Sequence, residues 1–162
     1  MLLFAAFGEA LIFDFVKFLW TVLDIHFTGN NLNKKLREYC MSSNVIVDKS
    51  FKFSIRIIKI YKYLVDEKRE WVLGKQLLRS GTSIGANVME GVHGVSKADF
   101  KNKLGIAFKE AKETEYWLQL LIASNILEQD DFDVSMAVKE CDEICRILSK
   151  IIKTCNDQLS NK

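Results

Sequence analysis

Residues 76–91 have the sequence Gln76-Leu-Leu-Arg-Ser-Gly-Thr-Ser-Ile-Gly-Ala-Asn-Val-Met-Glu-Gly91, and this stretch decides the fold. An apolar or small side chain recurs at three- or four-residue steps, which is the period of an amphipathic α-helix. The members of this stripe are Leu73, Leu77, Ser80, Ile84 and Val88. Gly81 and Gly85 lie beside it, and each glycine within a helix costs about 1 kcal/mol relative to alanine. Close approach of a neighbouring helix would offset that cost, so we predict a packed helix over residues 70–91.

Three further segments have the same period, and we predict helices over residues 48–68, from Ser96 to residue 125, and over residues 131–158. Ser96 with Asp99 three residues later resembles a capping box. The inward-facing positions are predicted to be Ser54, Ile57, Ile58, Tyr61, Leu64 and Val65 in the first helix, Leu104, Phe108, Ala111, Leu118 and Ile122 in the third, and Val134, Val138, Cys141, Cys145, Leu148, Ile152 and Cys155 in the fourth.

Proline is absent from the 162 residues and only eight are glycine, so the chain lacks the regular turn residues of an all-β fold. Short connections make consecutive helices antiparallel neighbours, because a short loop cannot carry the chain across a bundle. The predicted fold is all-α: an antiparallel up-down-up-down four-helix bundle with an additional N-terminal amphipathic helix.

The N-terminal segment differs in composition from the rest. Residues 1–27 are rich in Leu, Phe and Ile, and their four charged residues fall within an arc of about 140° on a helix. We therefore predict an amphipathic helix followed by a linker, with no stable membrane span, because no uncharged run reaches about 18 residues. Residues 1–40 form this N-terminal region and residues 41–162 the bundle domain. Met41 could itself be the start, so residues 1–40 are either an appended helix or an upstream extension of the reading frame.

Cysteine usage and charge suggest where the protein resides and which faces carry charge. The four cysteines come without a secretory signal, so we predict reduced thiols and a cytoplasmic location. The net charge of +2 conceals an asymmetry, since residues 48–112 hold fourteen Lys/Arg against seven Asp/Glu, whereas residues 113–162 hold five against ten. Basic and acidic faces are therefore expected on different helices.

Two linked stretches resemble the four-helix bundle protein family, also called the 23S ribosomal RNA intervening-sequence protein family. Residues 76–91 match its Q-x-x-R-[SA]-x-x-S-[IV]-x-x-N-[IV]-x-E-[GA] signature at full length, and residues 96–111 are similar to the segment that follows. The resemblance extends from Asp48 to the C-terminus and has no counterpart for residues 1–40. It implies a four-helix bundle that forms rings, commonly homo-pentamers. A related accessory protein of diversity-generating retroelements binds reverse transcriptase and nucleic acid.

A polar stripe runs along the predicted second helix. Its members follow one another at steps of three and four residues and are Gln76, Arg79, Ser83, Asn87 and Glu90. Such a stripe is either a binding site or a hydrogen-bonded network between helices or protomers, and we favour the network, because buried polar groups need partners. Together with Gly81 and Gly85, the polar stripe predicts self-assembly through the second and third helices.

Catalytic and metal-binding constellations are not evident. Cys141 and Cys145 are four residues apart, but a tetrahedral zinc site needs further ligands, so we interpret them as small buried hydrophobes. His26 and His93 belong to no metalloprotease-like motif, and Gly81 to Gly85 lacks the lysine of a phosphate-binding loop. We predict that the protein is not an enzyme and has no metal site and no cofactor.

A basic stripe lies on the first helix, where Lys49, Lys52, Arg56 and Lys59 project within an arc of about 80°. Concentrated positive charge predicts a weak, sequence-independent contact with a nucleic-acid backbone. Our leading hypothesis is a non-enzymatic homo-oligomeric adaptor for RNA, DNA or a nucleic-acid enzyme such as a reverse transcriptase. The alternative is a purely structural self-assembling protein, in which opposite charges on the first and fourth helices support assembly without nucleic acid.

Overall fold

The computed structural model describes residues 44–160, which form four α-helices and contain no β-strand. Helix α1 is Val45–Asp66, α2 is Val72–Val92, α3 is Lys97–Ala123 and α4 is Phe132–Ser160. Every predicted helix boundary lies within three residues of the observed one. The N-terminal helix, the linker and the domain boundary at residue 40 were predicted from sequence that lies outside the described residues.

Side-chain caps begin α3 and α4. Ser96 accepts a hydrogen bond from the Asp99 backbone N–H at 3.1 Å, as the predicted capping box requires. At the start of α4, Asp131 Oδ1 accepts from the N–H groups of Asp133 and Val134, at 2.9 and 3.1 Å. These carboxylate and hydroxyl acceptors satisfy donors that the first helical turn leaves unpaired.

The connection from α1 to α2 is built on Arg69, whose φ of 56° places it in the left-handed region. This conformation lets the Glu70 N–H donate to Leu64 O at 2.8 Å, closing the end of α1. The Glu70 carboxylate then accepts from the N–H groups of Val72 and Leu73, each at 2.9 Å, and caps α2. One residue therefore completes α1 with its backbone and starts α2 with its side chain.

A single core lies between the four helices, and contacts join α1 to α2, α2 to α3, α3 to α4 and α4 to α1. The largest fully buried side chains come from all four helices and from the connection between α3 and α4, and are Phe53, Ile57, Leu64, Leu77, Ile84, Val88, Leu104, Leu118, Leu121, Leu127, Ile144 and Leu148. The predicted stripe on α2 is confirmed, with Leu73 half-buried and its other members buried. Among the described helices, none has the length and apolar character needed to cross a membrane.

Two predicted core positions are wrong. Ile58 and Val138 are exposed. The core instead contains Phe53 and Ile60 of α1 and Ala137 of α4. Buried positions on α1 recur in alternating steps of four and three residues from Ile46 to Leu64. Isoleucine occurs at positions 55, 57, 58 and 60, so apolar character alone could not identify the buried face.

The glycines of α2 allow close packing against α1. A Cβ added at Gly81 would lie 2.8 Å from Ile57 Cγ1, and one at Gly85 would lie 3.1 Å from Ser54 Oγ. The predicted close helix approach is therefore present within one chain. Because α1 covers both glycines, they are not a free surface for a second copy, and the assembly prediction loses that support.

Candidate functional site

The basic stripe on α1 lies beside acidic residues of its own chain. Lys49 Nζ is 2.8 Å from Glu143 Oε2 of α4, and Lys52 Nζ is 2.7 Å from Asp48 Oδ2 one turn earlier on α1. Within the described part of the chain, Lys59 has no ion-pair partner. Two of the three lysines are therefore paired with carboxylates.

Arg56 is the most buried cation of the basic stripe, with 19% of its side chain exposed. Its Nε and Nη2 donate to the two carboxylate oxygens of Glu140 at 2.9 and 3.2 Å, and Nη1 also donates to Asp133. The guanidinium carbon lies 5.8 Å from the Phe132 ring centroid. The hydrogen bonds to Glu140 raise the pKa of Arg56 above its usual value, against the opposing effect of burial.

These contacts follow from where the acids of α4 lie. The first half of α4 holds Asp133, Glu140, Asp142 and Glu143, and all but Asp142 pair with cations of α1. The predicted separation of basic and acidic charge onto different helices is present as contacts between α1 and α4. Three of the four cations of the basic stripe therefore already have counter-charges, and a nucleic-acid contact by this stripe stays a prediction.

One end of the polar stripe on α2 contacts α3. Arg79 Nη2 is paired with Glu113, and Arg79 Nε donates over 3.5 Å to Gln76 Oε1. Glu113 also accepts from Trp117 Nε1 at 3.1 Å. This carboxylate joins one residue of the polar stripe to an indole on its own helix.

The other end of the polar stripe also reaches α3. Glu90 pairs with Lys103, while Asn87 Nδ2 donates to the backbone oxygen of Ser83 at 2.9 Å. Between these two ends, Glu110 Oε2 is buried without a hydrogen-bond partner among the described residues. The contacts at both ends lie within one chain, and the network interpretation of the polar stripe stays a prediction.

Of the three cysteines of α4, Cys141 and Cys145 are buried, as predicted, and Cys155 is partly buried. Cys141 Sγ lies 3.3 Å from Ala111 O of α3. A hydrogen bond with the Cys145 thiol, and then burial, raise the pKa of Cys141, and the same hydrogen bond lowers the pKa of Cys145. No group of three or more His, Cys, Asp or Glu side chains suited to a metal ion occurs within residues 44–160.

An apolar stripe lies on the outer side of α1 and was not predicted from the sequence. Phe51, Ile55 and Ile58 remain 42%, 45% and 39% exposed, and their spacing of four and three residues places them within an arc of about 60°. The recurrence of Phe51, Ile55 and Ile58 at steps of four and three residues could have identified it from the sequence. It was missed because Ile58 was assigned to the core.

Two open grooves lie along α3 and the second half of α4. One has a volume of about 390 Å³ and the other about 430 Å³. Their linings include four lysines that we call the lysine face: Lys101, Lys109, Lys150 and Lys153. This face was not predicted from the sequence, because the net charge of residues 113–162 is negative although the second half of α4 is basic.

Known proteins were compared with this chain. Residues 42–150 match the family model described as 23S rRNA-intervening sequence protein. A crystal structure from Bacteroides thetaiotaomicron VPI-5482, of a protein with unknown function from the S23 ribosomal protein family, is 50% identical with a TM-score of 0.65. That similarity covers 67% of this chain and 99% of the other, and no curated protein matches. The resemblance seen in the signature is confirmed, and the chain belongs to the 23S rRNA-intervening sequence protein family.

Proposed function

We propose that this protein is a non-enzymatic, self-associating bundle that serves as an adaptor on nucleic acid or on a nucleic-acid enzyme. The observation that carries the self-association is the apolar stripe of Phe51, Ile55 and Ile58. The association with RNA is supported by the family description, which names 23S rRNA, and by the S23 ribosomal protein family of the similar structure.

The apolar stripe favours a second copy of the chain as its partner. Three large side chains on adjacent turns form one contiguous strip, and such strips on a surface commonly mark interaction sites. The core of the bundle lies on the opposite side of α1, so burying the strip requires no change in the core. A symmetric assembly would repeat this contact on every protomer, which suits the ring, commonly a pentamer, implied by the family resemblance.

An antiparallel up-down-up-down order of the helices is part of this proposal. It is supported by the contacts of α1 with α2, where Ile57 meets Gly81 and Tyr61 meets Gly74. Residue numbers rise along α1 as they fall along α2 in these pairs. The pairs Arg79 with Glu113 and Glu90 with Lys103 follow the same rule between α2 and α3.

Catalytic inactivity and a cytoplasmic location complete the proposal. Cys141 and Cys145 are free thiols packed in the bundle, which suits a compartment that keeps cysteines reduced. The buried side chains named above pack between helices, and the charged residues of the basic stripe other than Lys59 form ion pairs. Adaptor proteins of this kind act by presenting surfaces, and this chain presents an apolar strip and a set of unpaired lysines.

A purely structural role is the second candidate, and the ion pairs of the basic stripe favour it. Lys49 and Arg56 bind carboxylates of α4, so the opposite charges on these helices already support the fold of one chain. In this alternative the protein assembles and does not bind nucleic acid.

The proposal is tested by measuring the mass of the full chain with multi-angle light scattering at tens of micromolar protein. We expect an oligomer for the wild type and a shift towards monomer for Phe51→Ser/Ile55→Ser/Ile58→Ser. Circular dichroism should record unchanged helicity, because the three side chains lie outside the core.

A matched control removes three exposed apolar side chains elsewhere, in the variant Trp71→Ser/Val72→Ser/Val95→Ser. This control should keep the mass of the wild type. A monomeric wild type would contradict self-association, and an oligomer that survives loss of the apolar stripe would place the interface on another face.

A further inference from the structure

The grooves along α3 and α4 have an unusual charge composition. Four lysines, Lys112 and Arg146 line them, together with apolar and small neutral residues. Neither lining contains an aspartate or a glutamate. Lys112 pairs with Glu115 and Arg146 with Asp142, which leaves the four lysines of the lysine face as the uncompensated charges of the linings. A concave surface with such an excess of cations concentrates positive potential, because the low-dielectric walls focus the field.

The four ammonium groups of the lysine face are available to a ligand. Within the part of the chain that the structure describes, none of Lys101, Lys109, Lys150 and Lys153 has an ion-pair or hydrogen-bond partner at its ammonium group. Three of the four cations of the basic stripe, in contrast, are paired with carboxylates. A phosphate that binds at the lysine face therefore contacts unpaired ammonium groups. At three of the four cations of the basic stripe, a phosphate must displace a carboxylate.

The two grooves are neighbours along the same pair of helices. Lys109 and Ile152 line one groove. Their chain neighbours Phe108 and Lys153 line the other. Lys101 and Lys109 are eight residues apart, which is about 12 Å along α3. Gly105 lies between them, and apart from the backbone of its own helix no atom lies within 4 Å of where its Cβ would be, so the surface there is open.

We propose that the lysine face is the surface on which this protein binds the phosphate backbone of a nucleic acid. This inference rests on the nucleic-acid part of the proposed function and moves the contact from α1 to α3 and α4. Lysines act as point charges on flexible stems, so they hold phosphates without reading bases. Binding is therefore independent of sequence and weakens steeply as salt is added. On duplex DNA, each phosphate neutralised makes the logarithm of the binding constant fall by about 0.9 for every tenfold rise in salt concentration.

The test measures binding of a short RNA duplex, and of a single strand of equal length, to the full chain by fluorescence anisotropy between about 50 and 200 mM salt. The variant Lys101→Gln/Lys109→Gln/Lys150→Gln/Lys153→Gln removes the lysine face. We expect its affinity to be at least about 100-fold lower near 0.1 M salt, with a shallower salt slope, because several phosphate contacts are lost.

The matched control, Lys49→Gln/Lys52→Gln/Lys59→Gln/Lys62→Gln, has the same net charge and changes α1 alone. It should bind within a few-fold of the wild type. If the two variants weaken binding equally, or the control weakens it more, the lysine face is not the binding surface. If the wild type oligomerises but does not bind RNA or DNA at low salt, the nucleic-acid function itself fails and the structural alternative stands.

A second measurement uses the unmodified protein and so does not depend on the variants folding. Lysines are acetylated in the presence and absence of the RNA duplex and mapped by mass spectrometry. We expect bound RNA to protect Lys101, Lys109, Lys150 and Lys153 more strongly than Lys59. Equal protection at Lys59 would overturn the assignment to α3 and α4.

Discussion

Arg56 of α1 binds Glu140 of α4 through two parallel hydrogen bonds, with Nε 2.9 Å from Oε2 and Nη2 3.2 Å from Oε1. The two residues are 84 positions apart in the chain. This bidentate pair, extended by Asp133, joins the first helix of the bundle to the last. Its geometry is of the kind that makes an arginine–carboxylate pair contribute to stability when most ion pairs on a surface contribute little.

The first prediction concerns this pair. Arg56→Met keeps the unbranched stem of the side chain but leaves Glu140 and Asp133 without their cation, so we expect the free energy of unfolding to fall by about 1–2 kcal/mol. Lys52→Met is the control, because the Lys52 side chain is 68% exposed and pairs within its own helix. Its effect should stay below about 0.5 kcal/mol. Urea unfolding measures both, and equal effects would show that the Arg56 pair is not stabilising.

The second prediction contrasts two helical glycines. Gly81→Ala should destabilise the protein by about 1 kcal/mol or more, because the new Cβ would lie 2.8 Å from Ile57, a buried and β-branched side chain that cannot move aside. Gly105→Ala meets no atom within 4 Å and should stabilise the protein by about 0.5–1 kcal/mol through helix propensity. The two midpoints of urea unfolding should therefore move in opposite directions. A stabilising Gly81→Ala would mean that α1 and α2 are less closely packed than described.

The third prediction concerns the dependence of stability on pH. The pKa of Cys141 is raised in the folded protein, by its hydrogen bond with Cys145 and by burial, so Cys141 keeps its proton when the unfolded thiol would lose it. The stabilising effect is complete below the unfolded pKa of about 8.5 and decreases as the pH rises above it. Above that pH, Cys141 lowers the free energy of unfolding by about 1.4 kcal/mol per pH unit.

The variant Cys141→Ala removes this titration together with the hydrogen bond that lowers the pKa of Cys145. Its stability should decrease less steeply than that of the wild type between about pH 8.5 and 9.5, whatever its absolute value. Urea unfolding across this range measures both slopes. Parallel slopes would mean that the Cys141 thiol ionises as readily in the folded chain as in the unfolded one.

The fourth prediction concerns the N-terminal region. Residues 41–162, expressed alone, should keep a cooperative thermal transition, since the described core is built from residues between Ile46 and Leu148. Thermal melting followed by circular dichroism compares this fragment with the full chain. If the fragment melts without a cooperative transition, residues 1–40 belong to the core and the boundary at residue 40 is misplaced.

The sequence by itself determined the number and approximate bounds of the helices in residues 44–160, the cap at Ser96 and the family. These features depend on residues close together in the chain, because hydrophobic period, capping and signature spacing are local. Burial of the stripe on α2 could also be predicted, since this helix has one apolar stripe, and the residues beside it include Gly81 and Gly85 rather than large apolar side chains.

Only the tertiary structure decided which face of α1 is buried and which cations are paired. Ile57 and Ile58 are equally apolar, and the rotation of α1 against its neighbours places one in the core and the other on the surface. Arg56 acquires its counter-charges from α4, whereas Lys109 and Lys150 share an open side of the bundle. Such contacts depend on the relative rotation and register of helices far apart in sequence, which the period of a single helix does not specify.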